Sequence, residues 1–260
     1  MAEATPKRPW PRRLTLLAAV LCFGSVAAAL IAGLGTGQEA WDFRFGLTIL
    51  RYAFYAAIAG VVVAILAAIV ARRAGRGLIL TNVAALVVAA GFVAFVGSQV
   101  RTAMAVPKIH DIATDLEDLP QFSRLEVRAD NLKDVPDLGR PELAALPPLE
   151  RWKAVHREAY GDIATIRVPW TVAETVERAR ALAVNRGWEV VAADPQRGLV
   201  EATETSLFFR FKDDVVVRVR PDSDGSGSVV DMRSISRVGL SDVGVNARRV
   251  RAFLADLQRG

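Results

Sequence analysis

The chain of 260 residues is 52% hydrophobic, yet 23% of its residues are charged and its formal net charge is +5. Residues 1–101 hold 10 basic and 3 acidic groups, whereas residues 102–260 hold 23 and 25. A sparsely charged part of net +7 ahead of a densely charged part of net −2 excludes a single soluble globule. It also excludes reading the pI near 9.8 as affinity for nucleic acid, because the water-soluble part is not basic.

Three stretches lack any charged residue: 14–38, 52–71 and 77–100. About 20 mainly apolar residues cross a hydrocarbon core, and in lipid the backbone must satisfy its own hydrogen bonds, which demands helices. The pattern predicts membrane helices over 14–34, 49–71 and 77–99. Lys7, Arg8, Arg12 and Arg13 precede the first, only Arg44 and Arg51 lie between the first and second, and Arg72, Arg73 and Arg76 crowd the second turn. The excess of basic residues places the N-terminus (1–13) and the second turn in the cytoplasm. Three crossings then export the C-terminal part. The first helix also has a basic leader and small residues at Ala27–Ala29, which suit a cleaved signal peptide, but its apolar run is longer than such a segment needs. Either way the C-terminal part is exported.

Within the spans, small residues recur every fourth position: Gly24, Ala28 and Ala32; Ala56, Gly60, Ala64 and Ala68; Ala90, Ala94 and Ser98. Such stripes allow close helix packing, within one chain or between chains. No ionisable residue sits in mid-span, which argues against a transporter or pump. Asn82 is the one strongly polar residue near a span, and it reads as a local hydrogen-bonding group. The single cysteine, Cys22, lies in the first span, so the exported part has no disulfide, no Cys nucleophile and no thiolate metal site.

Residues 101–160 contain Pro107, Pro120, Pro136, Pro141, Pro147 and Pro148 among charges, and read as a long strap with a helical piece near 148–159. Order sharpens over 161–260. A strand over 162–168 ends at Pro169 and Trp170. Thr171 and Glu174 form a capping box that opens a helix to about Asn185, with Val172, Val176, Ala179 and Ala183 on one face, and Gly187 stops it. Strands follow at 188–193 and 199–205. The segment 207–211 and the alternating run 215–220 join into one bent strand, and 228–236 is the next. A last helix from about Val245 places Val250, Phe253, Leu254 and Leu257 on one face, with Arg248, Arg249 and Arg251 mainly elsewhere. The fold class is a three-helix membrane anchor followed by an α+β domain, an antiparallel sheet with helices packed on it.

Three separated stretches carry a resemblance: 107–115 (PKIHDIATD), 211–215 (FKDDV) and 234–246 (SISRVGLSDVGVN). They are supported by 159–163 and by Gly187, Trp188 and Glu189. Together they resemble the domain-of-unknown-function family 1499 over roughly 104–258, with 123–150 fitting less clearly. The resemblance implies an envelope-facing bacterial domain, often behind membrane helices, and brings no established activity or catalytic assignment.

The polar residues of those stretches are the candidate ligand site: His110, Asp111, Asp115, Lys212, Asp213, Asp214, Arg237, Ser241, Asp242, Asn246 and Arg249. His110 with Asp111 and Asp115 suits acid–base work or a divalent ion; alternatively Asp111 and Asp115 hydrogen-bond the strap backbone and His110 is a docking contact. Asp213 shares a strand face with Val215 and Val217, so it needs a cationic or hydrogen-bonding partner, with Arg237 and Arg249 as candidates. The loop from Arg237 to Arg249 leads into a helix N-terminus that suits an anion, or an ordinary cap by Asp242 or Asn246. Three apparent motifs fail. Gly244, the glycine after Ser241, comes one residue late for a nucleophile elbow. Asp222 to Gly225 lacks the remaining ligands of a calcium loop. The glycines of 33–37 end a membrane helix and follow no strand. No metal or cofactor is assigned. The expected partners are the bilayer and an envelope lipid, cell-wall or protein partner, and no nucleic acid. The favoured role is a non-catalytic binding or envelope-associated module. The alternative is a membrane-anchored hydrolytic enzyme using His110 and Asp213 with Arg237.

Overall fold

The computed structural model describes residues 10–72 and 74–260, so Lys7, Arg8 and Arg73 of the basic segments lie outside the described residues. The chain divides into two compact units. The first takes the helices through Arg101 together with Leu207–Arg210; the second takes Thr102–Ser206 and Phe211–Gly260.

The first unit is built from α1 (Trp10–Gly37), α2 (Phe43–Ala71) and α3 (Arg76–Met104), each long and apolar enough to cross a membrane. They run past the charge-free stretches at several ends, because long arginine side chains at helix ends reach the polar boundary without breaking the helix. Asp42 caps α2, accepting from Arg44 N at 2.8 Å. Helices α1 and α2 pack through small residues, among them Ala18, Cys22, Ala57, Gly60 and Ala64, all buried. A Cβ at Gly60 would lie 2.9 Å from Cys22 Sγ, so the two backbones approach as closely as a glycine permits. The expected stripes hold in part: Ala32, Gly60 and Ala64 are buried, but Gly24 and the α3 set Ala90, Ala94 and Ser98 are exposed. Helix α3 buries Asn82, Ala85 and Ala89 instead. On that face the Asn82 amide donates to Thr15 Oγ1 of α1 at 2.9 Å, and Ala85 and Ala89 pack with Ala18, Cys22, Ala64 and Ala67. The outward faces carry Leu17, Val20, Ile58, Val62, Val87 and Phe95, which fits a lipid bilayer.

The second unit is α+β. Strands β1 (Asp111–Ala113), β2 (Ile166–Val168), β3 (Glu189–Asp194), β4 (Leu199–Thr205), β5 (Lys212–Pro221) and β6 (Ser228–Ser236) form one antiparallel sheet. The order is β1-β6-β5-β4-β3, with β2 beside β1 on the same edge of β6. Helix α6 (Val172–Asn185) connects β2 to β3. It opens with the expected Thr171–Glu174 capping box and ends at Gly187, whose φ of +76° suits glycine. Helix α7 (Val245–Arg259) follows β6 and buries Val250, Phe253, Leu254 and Leu257 against the sheet.

Alternation along β4, β5 and β6 makes two faces. Val200, Ala202, Val215, Val217, Val219, Val230 and Met232 belong to one apolar core with α6 and α7. The opposite face holds Glu201, Thr203, Asp214, Val216, Asp231 and Arg233, and these are also buried. The strap lies on that second face, after a short helix α4 (Pro141–Ala144) and the expected α5 (Pro148–Tyr160) are taken out of it. The strap also supplies β1, a strand that the sequence pattern did not show.

Two strand assignments change. The first strand covers only Ile166–Val168. Residues Leu207–Arg210 are a turn rather than part of a long strand. Arg210 has φ +54°, incompatible with strand backbone, and the turn is closed by Ser206 N donating to Phe211 O at 2.8 Å.

Candidate functional site

The candidate residues gather around β1, the start of β5, the end of β6 and the N-terminus of α7. Strand β1 is the hinge of the arrangement. One edge pairs with β6, and the His110 carbonyl accepts from Ser236 N at 3.1 Å. The other edge would be open, but α5 closes it. Trp152 Nε1 donates to Asp111 O at 3.0 Å, and Ala113 N donates to His156 Nε2 at 3.2 Å. Residues four apart on a helix are spaced about 5–6 Å, which matches two successive outward groups of a strand. His156 must be neutral at Nε2 to accept, and burial pulls its pKa down to about 4.

Asp111 faces the strap side. Its carboxylate takes a bidentate pair from Arg233 (2.9 and 2.7 Å) and a third bond from Asn131 at 2.6 Å. Asp115 does hydrogen-bond the strap backbone, accepting from Glu117 N at 3.1 Å and Asp118 N at 3.0 Å. It also meets Arg218 at 3.2 Å. Arg218 and Arg220 converge on the fully buried Asp231, at 3.1 and 2.7 Å. Burial pushes the Asp231 carboxyl up, but the Thr165 hydroxyl, Arg218 and the Thr114 hydroxyl outweigh it and hold the pKa below the usual carboxylate range.

His110 is buried. Its Nδ1 lies 3.5 Å from Leu240 O, and its Nε2 has no hydrogen-bond partner among the described residues. Asn131 Oδ1 is in the same state. Both residues line a cavity of about 10 Å³ shared with Lys108, Asp111, Arg128 and Asp130. That is the volume of one water-sized molecule. Arg128 holds the rim in place, bonding Asp130 at 2.6 and 2.8 Å and Gly239 O at 2.7 Å. The Arg128 guanidinium holds the Asp130 pKa down to about 2.

The remaining candidates divide between the two faces of the sheet. Asp213, on the helix side, pairs with Arg249 at 2.7 Å. Arg249 also bonds Ser234 at 2.9 Å and contacts Glu204 and Asn246, so it is buried rather than turned away as its helix position suggested. The two candidate partners of Asp213 are thereby separated: Arg237 takes Asp214 instead, on the strap side, at 2.8 Å through both Nε and NH2. Thr203 Oγ1 also donates to Asp214 at 2.7 Å. Asp242 stands two residues ahead of Gly244, the N-cap of α7, and its carboxylate accepts from Gly244 N at 2.8 Å and Asn246 N at 2.7 Å. Burial raises the Asp242 pKa against those two bonds, and burial with the nearby Asp242 charge pushes Tyr160 up to about 12. Asn246 is fully buried and ties α7 to β1 and β6. Its amide donates to His110 O at 2.9 Å and Ser236 Oγ at 3.0 Å, and Ser234 donates back at 2.7 Å. Ser241 Oγ accepts from Val243 N at 3.2 Å. Lys212 is exposed, and its carbonyl accepts from Arg237 N at 3.0 Å. Among the described residues no three His, Cys, Asp or Glu side chains come together as a metal-binding group.

Comparison with known families decides the kinship. The chain belongs to the DUF1499 family of proteins of unknown function. The family match covers residues 111–257. No curated protein matches the chain. The DUF1499 region therefore begins on β1 at Asp111 and ends on α7 at Leu257, the last core residue of that helix. It includes the strap from Asp111 onward, so that part of the strap belongs to the family domain as much as the sheet does. Several residues that organise the DUF1499 domain escaped sequence reasoning: Asn131, Trp152, His156, Glu201, Asp231 and Arg233. The available signal was charge of both signs at alternate positions of β4, β5 and β6, which suits a covered polar face as well as a solvated one.

Proposed function

We propose that the protein is a multi-pass protein of the bacterial inner membrane, with a cytoplasmic N-terminus and its DUF1499 domain on the periplasmic side. There it serves as a binding or envelope-associated module without catalysis, toward an envelope lipid, the cell wall or a protein partner. The orientation rests on the seven basic residues flanking the cytoplasmic ends against two in the other loop. The role rests on one observation: the candidate carboxylates Asp111, Asp213, Asp214 and Asp242 are engaged inside the fold. Asp111 is held by Arg233, Asp213 by Arg249, Asp214 by Arg237, and Asp242 by the Gly244 and Asn246 N–H groups at the start of α7. A hydrolytic site would need Asp213 and Arg237 to act together with His110, whereas their partners lie on opposite faces of the sheet.

The test is purification of the full-length protein from native membranes, with mass spectrometry of what co-purifies and reporter fusions at the C-terminus. A reproducible co-purifying partner and a reporter active only outside the cytoplasm are expected. Hydrolytic turnover that disappears with His110→Ala overturns the binding role, and a cytoplasmic reporter signal overturns the orientation.

A further inference from the structure

The turn between β4 and β5 is unlike the other turns of the sheet. The β3–β4 and β5–β6 turns are polar, with Asp194, Gln196 and Arg197 in one and Asp222, Ser223 and Asp224 in the other. The β4–β5 turn instead carries Leu207, Phe208 and Phe209 in succession. Leu207 is 82% exposed and Phe208 50%. Large apolar side chains clustered at one exposed point mark a surface that meets something apolar. The turn is also closed and shaped, with Phe211 N donating to Ser206 Oγ at 2.9 Å and Ser206 N to Phe211 O at 2.8 Å, so the apolar residues are held out on a defined scaffold.

Two observations identify the occupant. Leu207–Arg210 fall within the unit of the membrane helices rather than with the sheet. Within that unit Phe208 lies against Gly33 and the Arg210 stem against Gly37, the last residue of α1; a Cβ at Gly33 would be 3.3 Å from Phe208 Cβ. The level of the bilayer reached by the end of a spanning helix is its polar boundary. The second observation is charge. Exposed Arg210 and Lys212 flank the apolar residues, the composition that settles with rings and aliphatic chains in the acyl boundary and cations among the headgroups.

We propose that Leu207–Arg210 is an interfacial anchor that inserts Leu207 and Phe208 into the phospholipid boundary of the leaflet on the domain's own side. The test uses the full chain with Cys22→Ser, reconstituted in vesicles of phosphatidylcholine and phosphatidylglycerol. An environment-sensitive fluorophore is placed through Leu207→Cys, or through Ser223→Cys in the polar β5–β6 turn. The label at 207 is expected to emit as in an apolar medium and to lose most of its emission to lipids carrying a shallow quencher. The label at 223 is expected to emit as in water and to keep its emission. A water-like signal at 207 overturns the proposal. So does an apolar signal there that shallow lipid quenchers leave untouched, which assigns the turn to a protein partner or a second copy of the chain.

Discussion

The central residues on the two faces of the DUF1499 sheet are both buried, by opposite chemistry. On the helix side, Val215, Val217 and Met232 meet α6 and α7 in an apolar core. On the strap side, Asp111, Asp231 and Arg233 are just as inaccessible, but each is matched by a charge or a hydrogen-bond donor. Apolar burial is tolerant of detail, since removing a methylene loses contacts in proportion. Buried charge is not tolerant, because a group left without its partner bears its full desolvation cost. The difference gives the strap its meaning: it is a polar lid fastened by specific bonds, whereas the helices are held by area.

The sharpest way to break that comparison is to remove one partner of a buried pair. Asp111→Ala leaves the Arg233 guanidinium buried and unpaired, with an expected cost of about 3–5 kcal/mol. Hydrogen exchange of the β5 and β6 amides in the full-length protein reads this directly. Asp111→Leu combined with Arg233→Met replaces the pair by apolar volume and is expected to restore most of the loss. Met232→Ala on the helix side costs about 2–5 kcal/mol through its cavity. A cost below about 1 kcal/mol for Asp111→Ala would mean that Arg233 reaches solvent, and that the strap side is an ordinary wet surface.

The sequence made the helix side legible and hid the strap side, for a physical reason. Val176, Ala179, Val250 and Phe253 advertise their face by a period of 3.6, and the Thr171–Glu174 box marks where α6 begins. The three membrane helices were equally legible, because absence of charge over 20 residues has one meaning in water and lipid alike. In contrast, Arg218 and Arg220 alternate with Val217 and Val219 as they would on a half-solvated strand. Nothing local says that Asp231 and the strap cover them. Strand β1 is three residues long and exists because β6 and α5 pair with its two edges, so its own sequence carries no strand pattern. The α5 edge also supplies a second, somewhat smaller test. His156 accepts a proton at about 4 in the folded protein against 6.5 when free. Stability is therefore full above pH 6.5, where both states are neutral. It falls as the pH drops from 6.5 toward 4, because only the unfolded chain is protonated there, by on the order of 3 kcal/mol. His156→Gln keeps an acceptor for Ala113 N and removes that slope. Wild-type and variant stability curves that stay parallel from pH 7 to 4 would show that the imidazole does not close β1.

The smallest expected effect isolates the strap itself. Glu201 projects from β4 with no side-chain exposure, and the strap wraps its carboxylate with successive backbone donors. Ser123 N bonds at 2.6 Å, Arg124 N at 3.0 Å and Leu125 N at 2.9 Å, with the Ser123 hydroxyl at 2.6 Å. Burial pushes the Glu201 pKa up, but the Ser123 hydroxyl and those N–H groups outweigh it and hold it below the free value of 4.5. A run of N–H groups around an anion requires the negative charge, and an amide in its place turns one acceptor into a donor facing donors. Glu201→Gln is therefore expected to cost about 1–3 kcal/mol. The loss falls on the strap alone, because no apolar contact of the helix side depends on that carboxylate. Exchange at residues 123–125 should quicken by about five- to a hundredfold, given 1.4 kcal/mol per tenfold, while the amides of β6 keep their protection. In the wild type the same local opening should appear as the pH falls below 4.5 through the lowered folded value, since the stabilisation is present only while the carboxylate is charged. Equal acceleration in β6 would show that lid and core open as one unit, and that the two faces differ in chemistry but not in independence.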